Sequence, residues 1–337
     1  MRNTVLDFYR IVFTLIICLH HFQGALNMNF IAKGYIGVEF FFILSGFFLY
    51  KSFKKHKDES AVGYTVKKLK RLYPEYIVAF VLFFAIMAIQ NKGDIISYIF
   101  NAISEITLTQ NIGVFKGGIN YPLWYLSVLI FAGYIIFGIL KKNEDTFIKI
   151  ISPIFIVFTF SLLNYLGKGL ENWDIMYGLY LPLLRGAAEI CIGVLCAKFI
   201  EGKYFSEIAD HKNICYIIEV LTYIFLSYII ICQNEFEIYS IVFIPILICI
   251  ANNPSSISSK LFNQNIFGKA GKITYSMYVN HAIFIKGTTF LYKSVFNKNI
   301  NMIALIVIYL SSLIIYSIIS RKLIMNIVNK YREKQYA

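Results

Sequence analysis

The sequence predicts an all-α polytopic membrane protein: a single integral-membrane domain over residues 1–337, a bundle of about ten transmembrane helices, both termini cytoplasmic and a short basic tail after residue 325. Three observations carry that expectation. The chain is 58% hydrophobic and only 15% charged, far from the balance of a soluble globular domain. Its apolar residues gather into runs long enough, or nearly so, to cross a hydrocarbon core of about 30 Å at 1.5 Å per residue. Its lysines and arginines are distributed unevenly between those runs, which is how membrane orientation is encoded.

The runs cover residues 5–26, 34–53, 74–90, 122–140, 147–165, 177–200, 213–232, 237–251, 274–294 and 300–325. The eighth is short and is interrupted by Pro245, which cannot donate a helical hydrogen bond. The first has the position of a signal peptide, but it holds Arg10, His20 and His21 and lacks a small-x-small cleavage site, so it reads as a membrane helix. With the N-terminus inside, 23 of the 32 lysines and arginines fall in inner segments. Seven fall outside (Lys33, Lys92, Lys116, Lys168, Lys286, Lys293 and Lys298), and Arg10 and Arg185 lie within spans. That bias satisfies the positive-inside rule, and an even helix count agrees with both termini being cytoplasmic. It also absorbs the net charge of +13, so nucleic acid is excluded as a partner and the lipid bilayer is the expected one. The six cysteines sit almost wholly in hydrophobic runs, with no metal-type Cys/His spacing, so they read as buried thiols and no metal is expected. Abundant Ile, Lys and Asn fit an AT-rich, bacterial genome and a multi-pass protein of the bacterial plasma membrane.

Taken in order, the first run is the one around which the others are organised. It carries Asp7, Arg10, His20 and His21, and ionisable groups at bilayer depth face protein or water and mark function. At 100° per residue Arg10 and His21 lie within about 20° of one another, roughly 16 Å apart along the axis. His21 is therefore the expected catalytic base with Arg10 as its cationic companion. A plain Asp7–Arg10 ion pair and a structural histidine are the competing readings. The second run brings Gly34, Gly37 and Gly46 where helices can approach closely. It also brings Glu39, either an interfacial carboxylate or a group that orients His21. Ser45 beside Gly46 reads as tight packing rather than as a nucleophile.

Residues 64–76 form a basic amphipathic run ending at Pro74, where the third span begins. Lys68 and Arg71, three residues apart on one helical face, suit either a topology signal or a phosphate clamp. Ile95–Leu108 reads as a short amphipathic helix for the outer face. Trp124 and Tyr125 fit an aromatic belt at the interface. Arg185 and Glu189, four apart in the sixth run, suit an internal ion pair, and His281 in the ninth suits a core hydrogen bond more than catalysis.

Together these stretches resemble the membrane acyltransferase 3 family. The resemblance rests on Arg10 followed eleven positions later by His21, on Gly34-Tyr-Ile-Gly-Val-Glu-Phe-Phe-Phe-Ile-Leu-Ser-Gly-Phe47, and on Arg71-Leu-Tyr-Pro74. Pro122-Leu-Trp-Tyr-Leu-Ser127 and Gly271-Lys-Ile-Thr-Tyr-Ser-Met-Tyr-Val-Asn-His281 extend it to the later runs. The resemblance implies O-acylation: an acyl group, acetyl by preference, moves from cytoplasmic acyl-CoA to a hydroxyl of a cell-envelope polysaccharide or lipid-linked sugar. It implies no permanently bound cofactor, and acetyl-CoA acts as donor substrate. By position, His21 and Arg10 are the essential pair with Glu39 beside them, Arg71 and Lys68 hold the donor's phosphates, and Asp7, Arg185, Trp124 and His281 support. Glu39 stands where the family commonly has Asp, and Lys68 where it often has Arg, which keeps the charge but removes bidentate geometry at that position. Some members carry an extracytoplasmic hydrolase-like domain, and the expectation here is the stand-alone form. The alternative from another class is a transporter or flippase for a lipid-linked glycan or small solute, using the same charges as a relay.

Overall fold

A computed structural model describes residues 2–90, 95–113, 118–171, 175–176 and 178–336; Lys92 and Lys116 lie outside the described residues. The helices are α1 (Thr4–Ala25), α2 (Ile36–Lys55), α3 (Ala61–Gln90), α4 (Ile95–Ile106), α5 (Trp124–Lys142), α6 (Glu144–Thr146), α7 (Ser152–Tyr165), α8 (Leu181–Ile200), α9 (Lys203–Asp210), α10 (Lys212–Ile231), α11 (Ser240–Asn252), α12 (Ile257–Phe262), α13 (Asn265–Ala270), α14 (Thr274–Phe290) and α15 (Met302–Tyr336). Two-residue strands, β1 (Ile175–Met176) and β2 (Leu179–Tyr180), pair as a small antiparallel hairpin.

Among the described residues seven stretches are long and apolar enough to cross a membrane: α1, α2, Ala61–Ile89, Tyr121–Lys142, Glu144–Tyr165, α10 and Met302–Tyr331. The chain is a multi-pass membrane protein. The other three expected segments are helical at the expected places but fall short of that measure. α8 carries Arg185, Glu189 and Lys198, while α11 and α14 have 13 and 17 residues. Neither internal proline ends its helix. Pro74 stands inside α3, which joins the basic run to the third span, and Pro245 stands inside α11. Each proline removes the donor for the carbonyl four residues before it, and neighbouring helices also bond to the backbone close by. Tyr275 donates to the Leu72 carbonyl (2.9 Å), and the Cys196 thiol lies 3.6 Å from the Pro245 carbonyl.

α2 lies at the centre. Of its apolar window 67% is buried, against 28% of α10 and 22% of α15, whose remaining surface is apolar and outward. Glycine sets the central packing. A Cβ on Gly46 would lie 1.9 Å from the Ile190 carbonyl, and one on Gly193 would lie 1.9 Å from that of Ile43, so α2 and α8 touch backbone to backbone. The contacts also fix directions. α2 runs against α1, since Gly34 meets His20 and Gly37 meets Ile17, whereas α8 runs with α2, since Gly186 meets Phe42 and Gly46 meets Ile190. α14 runs with α1, bringing Gly271 to Asp7 and His281 to His21. α1 therefore has a basic end at Asp7 and Arg10 and a histidine end at His20 and His21. α4 folds back against α3 rather than lying apart: Tyr73 and Tyr76 donate to the carbonyls of Ile106 and Glu105.

Candidate active site

The last turns of α1 present His21 to α14, where its Nδ1 lies 2.8 Å from Nε2 of the fully buried His281, the two ring planes within 9° of parallel. The other His281 nitrogen, Nδ1, lies 2.5 Å from the Tyr278 carbonyl. A carbonyl only accepts, so His281 Nδ1 carries a proton and donates it. In the neutral ring Nε2 is then an acceptor, and His21 Nδ1 is the donor to it. This leaves the lone pair of His21 Nε2 free for chemistry, as one ring nitrogen's bond sets the role of the other. Tyr121 stands edge-on to the His21 ring at 5.2 Å.

The partner of His21 in the structure is His281 and not Glu39. Glu39 is fully buried in a group of three charges, with Arg185 Nε 3.7 Å from its Oε2 and 3.7 Å from Glu189 Oε1. The close approach of α2 and α8 at their glycines is what brings the three together. The Arg185–Glu189 pair is present as expected, with Glu39 added. Trp124 completes the group rather than an interfacial belt: it is 5% exposed and lies beneath the Arg185 guanidinium, 5.5 Å from ring centroid to carbon. A guanidinium held by two carboxylates finds in the indole face a partner that accepts positive charge without a proton.

At the basic end, Arg10 Nη1 donates to Asp7 Oδ1 (2.8 Å) and its guanidinium lies 4.9 Å from the Phe48 ring, while Arg2 also holds the buried Asp7. The expected Asp7–Arg10 pair is therefore present, and Arg10 nevertheless faces open space. Two adjoining cavities, of about 460 and 690 Å³, share Arg2, Arg10, Lys68 and Arg71 in their walls. Lys68 Nζ donates to the Tyr64 hydroxyl (3.3 Å), and among the described residues neither Lys68 nor Arg71 lies within ion-pair distance of a carboxylate. Glu75 and Glu59 also line these cavities but are paired with Arg321 and Lys67, so the wall carries an excess of positive charge. The smaller cavity continues past Ser45 to Tyr125, Tyr275 and Tyr278. Ser45 is bonded to the Tyr125 hydroxyl (3.2 Å), in keeping with a packing role. Tyr278 separates the cavity from the histidines. Its hydroxyl bonds the Pro122 carbonyl, and its own carbonyl holds His281.

Arg10, Arg71 and Lys68, grouped by sequence reasoning, line the same cavities, whereas it left His21 and His281 apart, because 260 residues separate them and no local pattern couples α1 to α14. It also passed over Glu237, which gathers Lys33 Nζ (2.6 Å), the Tyr35 hydroxyl and the Leu170 amide (2.6 Å) at the histidine end.

Proteins named putative O-acetyltransferase from Staphylococcus aureus strains COL, MSSA476 and MRSA252 are each 24% identical over 310 residues, which cover 82% of this chain and 49% of theirs. The chain thus spans about half the length of the curated relatives it matches. No solved structure matches it. The family model described as the acyltransferase domain matches residues 3–321, nearly the whole chain, including His21, His281, Arg10, Lys68 and Arg71, and the protein belongs to the acyltransferase 3 family.

Proposed function

We propose that the protein is a membrane O-acyltransferase that moves an acyl group, acetyl by preference, from acyl-CoA at the basic end to a hydroxyl of a cell-envelope polysaccharide or lipid-linked sugar at the histidine end. The observation that carries this reading is the free Nε2 of His21, held by His281 on the helix that presents Arg10 to the cation-lined cavities about 16 Å away. Arg10, Arg71, Lys68 and Arg2 hold the donor's phosphates as charge-assisted partners. The apolar arm of the donor follows the smaller cavity towards Tyr125 and Tyr278, and its thioester reaches His21 once Tyr278 moves aside.

In the direct route His21 Nε2 takes the proton of the acceptor hydroxyl. The oxygen attacks the thioester carbonyl, the carbon–sulfur bond breaks, and the imidazolium returns the proton to the leaving thiolate. In the two-step route Nε2 attacks the thioester carbonyl and the carbon–sulfur bond breaks, releasing the thiolate; the acceptor oxygen then attacks the acyl-histidine carbonyl, the acyl–nitrogen bond breaks, and the hydroxyl proton passes by way of the imidazole to the thiolate. Both routes need the same free lone pair. His281 steadies the ring in either, and the Glu39–Arg185–Glu189 group fixes α2 against α8 behind it.

The relative directions of α1, α2, α8 and α14 fit ten alternating crossings, and the loop charges favour a cytoplasmic basic end in a bacterial plasma membrane. Radiolabelled acetyl-CoA incubated with the purified protein, without acceptor, separates the routes: label trapped on His21 supports the two-step route, and its absence alongside normal transfer supports the direct one. Glycan or solute movement across proteoliposomes with no acyl transfer overturns the proposal in favour of a transporter.

A further inference from the structure

At the histidine end a short row of polar and aromatic groups surrounds His21, and the mechanism above leaves it unused. Glu171 Oε1 lies 4.0 Å from His20 Nε2, the His20 and His21 rings are 5.7 Å apart, and Tyr121 stands on the other side of His21 at 5.2 Å. Tyr121 is 46% exposed and the Glu171 side chain 51%, whereas His281 behind them is fully buried. The His21 imidazole is thus backed by His281 and flanked by the half-exposed Tyr121 on one side and the mostly buried His20 on the other, with the open Glu171 carboxylate beyond His20.

The row is held in place by the fold rather than left loose. Gln23 accepts from the Phe30 and Ile31 amides and donates to the Ile31 carbonyl, which pins the α1–α2 turn beside His20. His20 Nδ1 lies 3.3 Å from that same carbonyl. Glu237 binds the Leu170 amide, and so fixes the backbone next to Glu171, while its bond to Lys33 ties that backbone to the same turn. Asn120, next to Tyr121, is anchored through its amide to Glu105 Oε1 (2.8 Å). A pre-arranged site loses less entropy on binding than a mobile one.

We propose that Tyr121, His20 and Glu171 form the acceptor subsite around His21, and that it takes an uncharged pyranose ring: the ring lies on Tyr121 and its neighbouring hydroxyls donate to Glu171 and His20. This rests on the acyltransferase reading. An aromatic face suits the C–H face of a sugar ring and offers a linear polyol little. A half-exposed carboxylate accepts hydroxyl protons and repels an anionic sugar.

The test uses the full chain in proteoliposomes with radiolabelled acetyl-CoA and three soluble acceptor probes: methyl β-glucopyranoside, ribitol and methyl β-glucuronide. The glucoside should be acetylated with the highest kcat/KM. Tyr121→Ala should lower that value about tenfold through the acceptor KM, Tyr121→Phe should keep it, and Glu171→Gln should raise the relative use of the glucuronide. The KM for acetyl-CoA should not move in any variant, which also reports intact folding. His21-dependent acetyl-CoA turnover in which the glucoside is no better than ribitol or the glucuronide, or is unaffected by Tyr121→Ala, overturns the subsite alone. Absence of any His21-dependent acetyl release overturns the acyltransferase reading beneath it.

Discussion

Replacing Gly46 by Ala tests how the buried charge group behind the site is assembled. The new Cβ would sit 1.9 Å from the Ile190 carbonyl oxygen, where ordinary contact begins at 3.4 Å. The obstacle is backbone, so no side-chain rotation relieves it, and α2 and α8 must separate by about 1.5 Å. Overpacking of this kind costs about 1–3 kcal/mol, and the separation also lengthens the 3.7 Å contact between Arg185 and Glu39. Gly193→Ala meets the Ile43 carbonyl at the same 1.9 Å, so one separation relieves both clashes. The double variant should therefore cost little more than the worse single one, the non-additivity expected of residues sharing one contact. Gly24→Ala and Gly287→Ala serve as controls, since nothing lies within 4 Å of either added Cβ. They should be neutral or stabilise by roughly 0.5–1 kcal/mol. Thermal unfolding of the detergent-solubilised protein, followed by loss of the monodisperse elution peak, reads all five. Gly46→Ala as stable as Gly24→Ala, or fully additive losses in the double variant, would refute the backbone contact.

Three further outcomes are expected. Arg71→Ala should raise the KM for acetyl-CoA roughly 10- to 150-fold, the worth of one charge-assisted hydrogen bond of about 1.5–3 kcal/mol, with kcat little changed; an unaltered KM would remove Arg71 from the donor site. His281→Ala should lower kcat about 10- to 100-fold, as loss of an orienting partner does, and leave the acetyl-CoA KM alone; a variant with wild-type kcat would show that His21 needs no orienting partner. Glu105, outside the apolar spans, is fully buried, and burial pushes its carboxyl up to about 7 against the opposing amide bonds of Asn120 and Ile119. Its folded value lies above the unfolded one near 4.3, so its contribution to stability is complete below about pH 4 and is lost as pH rises through 7. Glu105→Gln should match wild type near pH 4 and exceed it above pH 7 by up to about 3 kcal/mol, and parallel pH curves would refute the assignment.

The fold was legible where one physical rule dominates. Hydrophobic length marked ten segments, of which seven among the described residues are long and apolar enough to cross a membrane, and charge inside apolar runs singled out Arg10, His21, Glu39 and Arg185. What the chain order could not convey was which buried groups meet. Glu39 and His21 sit on neighbouring, similarly apolar helices, and only the glycine-mediated contact of α2 with α8 draws Glu39 to Arg185. Trp124 looked interfacial because an aromatic at a span's edge usually is, yet a buried guanidinium claimed its ring. Pro74 looked like a helix start because proline favours first turns, yet the helix continues through it from Ala61. His281 looked structural because one histidine in an apolar run usually is, and its meaning appears only when α14 runs parallel to α1.

The most direct measurement is acetyl transfer by the purified protein in proteoliposomes, using radiolabelled acetyl-CoA and a mixture of cell-envelope glycans, for wild type, His21→Ala and Arg10→Ala. The account predicts wild-type transfer that falls to background in His21→Ala and drops sharply in Arg10→Ala, with both variants eluting as folded protein. Full transfer by His21→Ala, or glycan movement across the bilayer with no acetyl transfer by wild type, would contradict it.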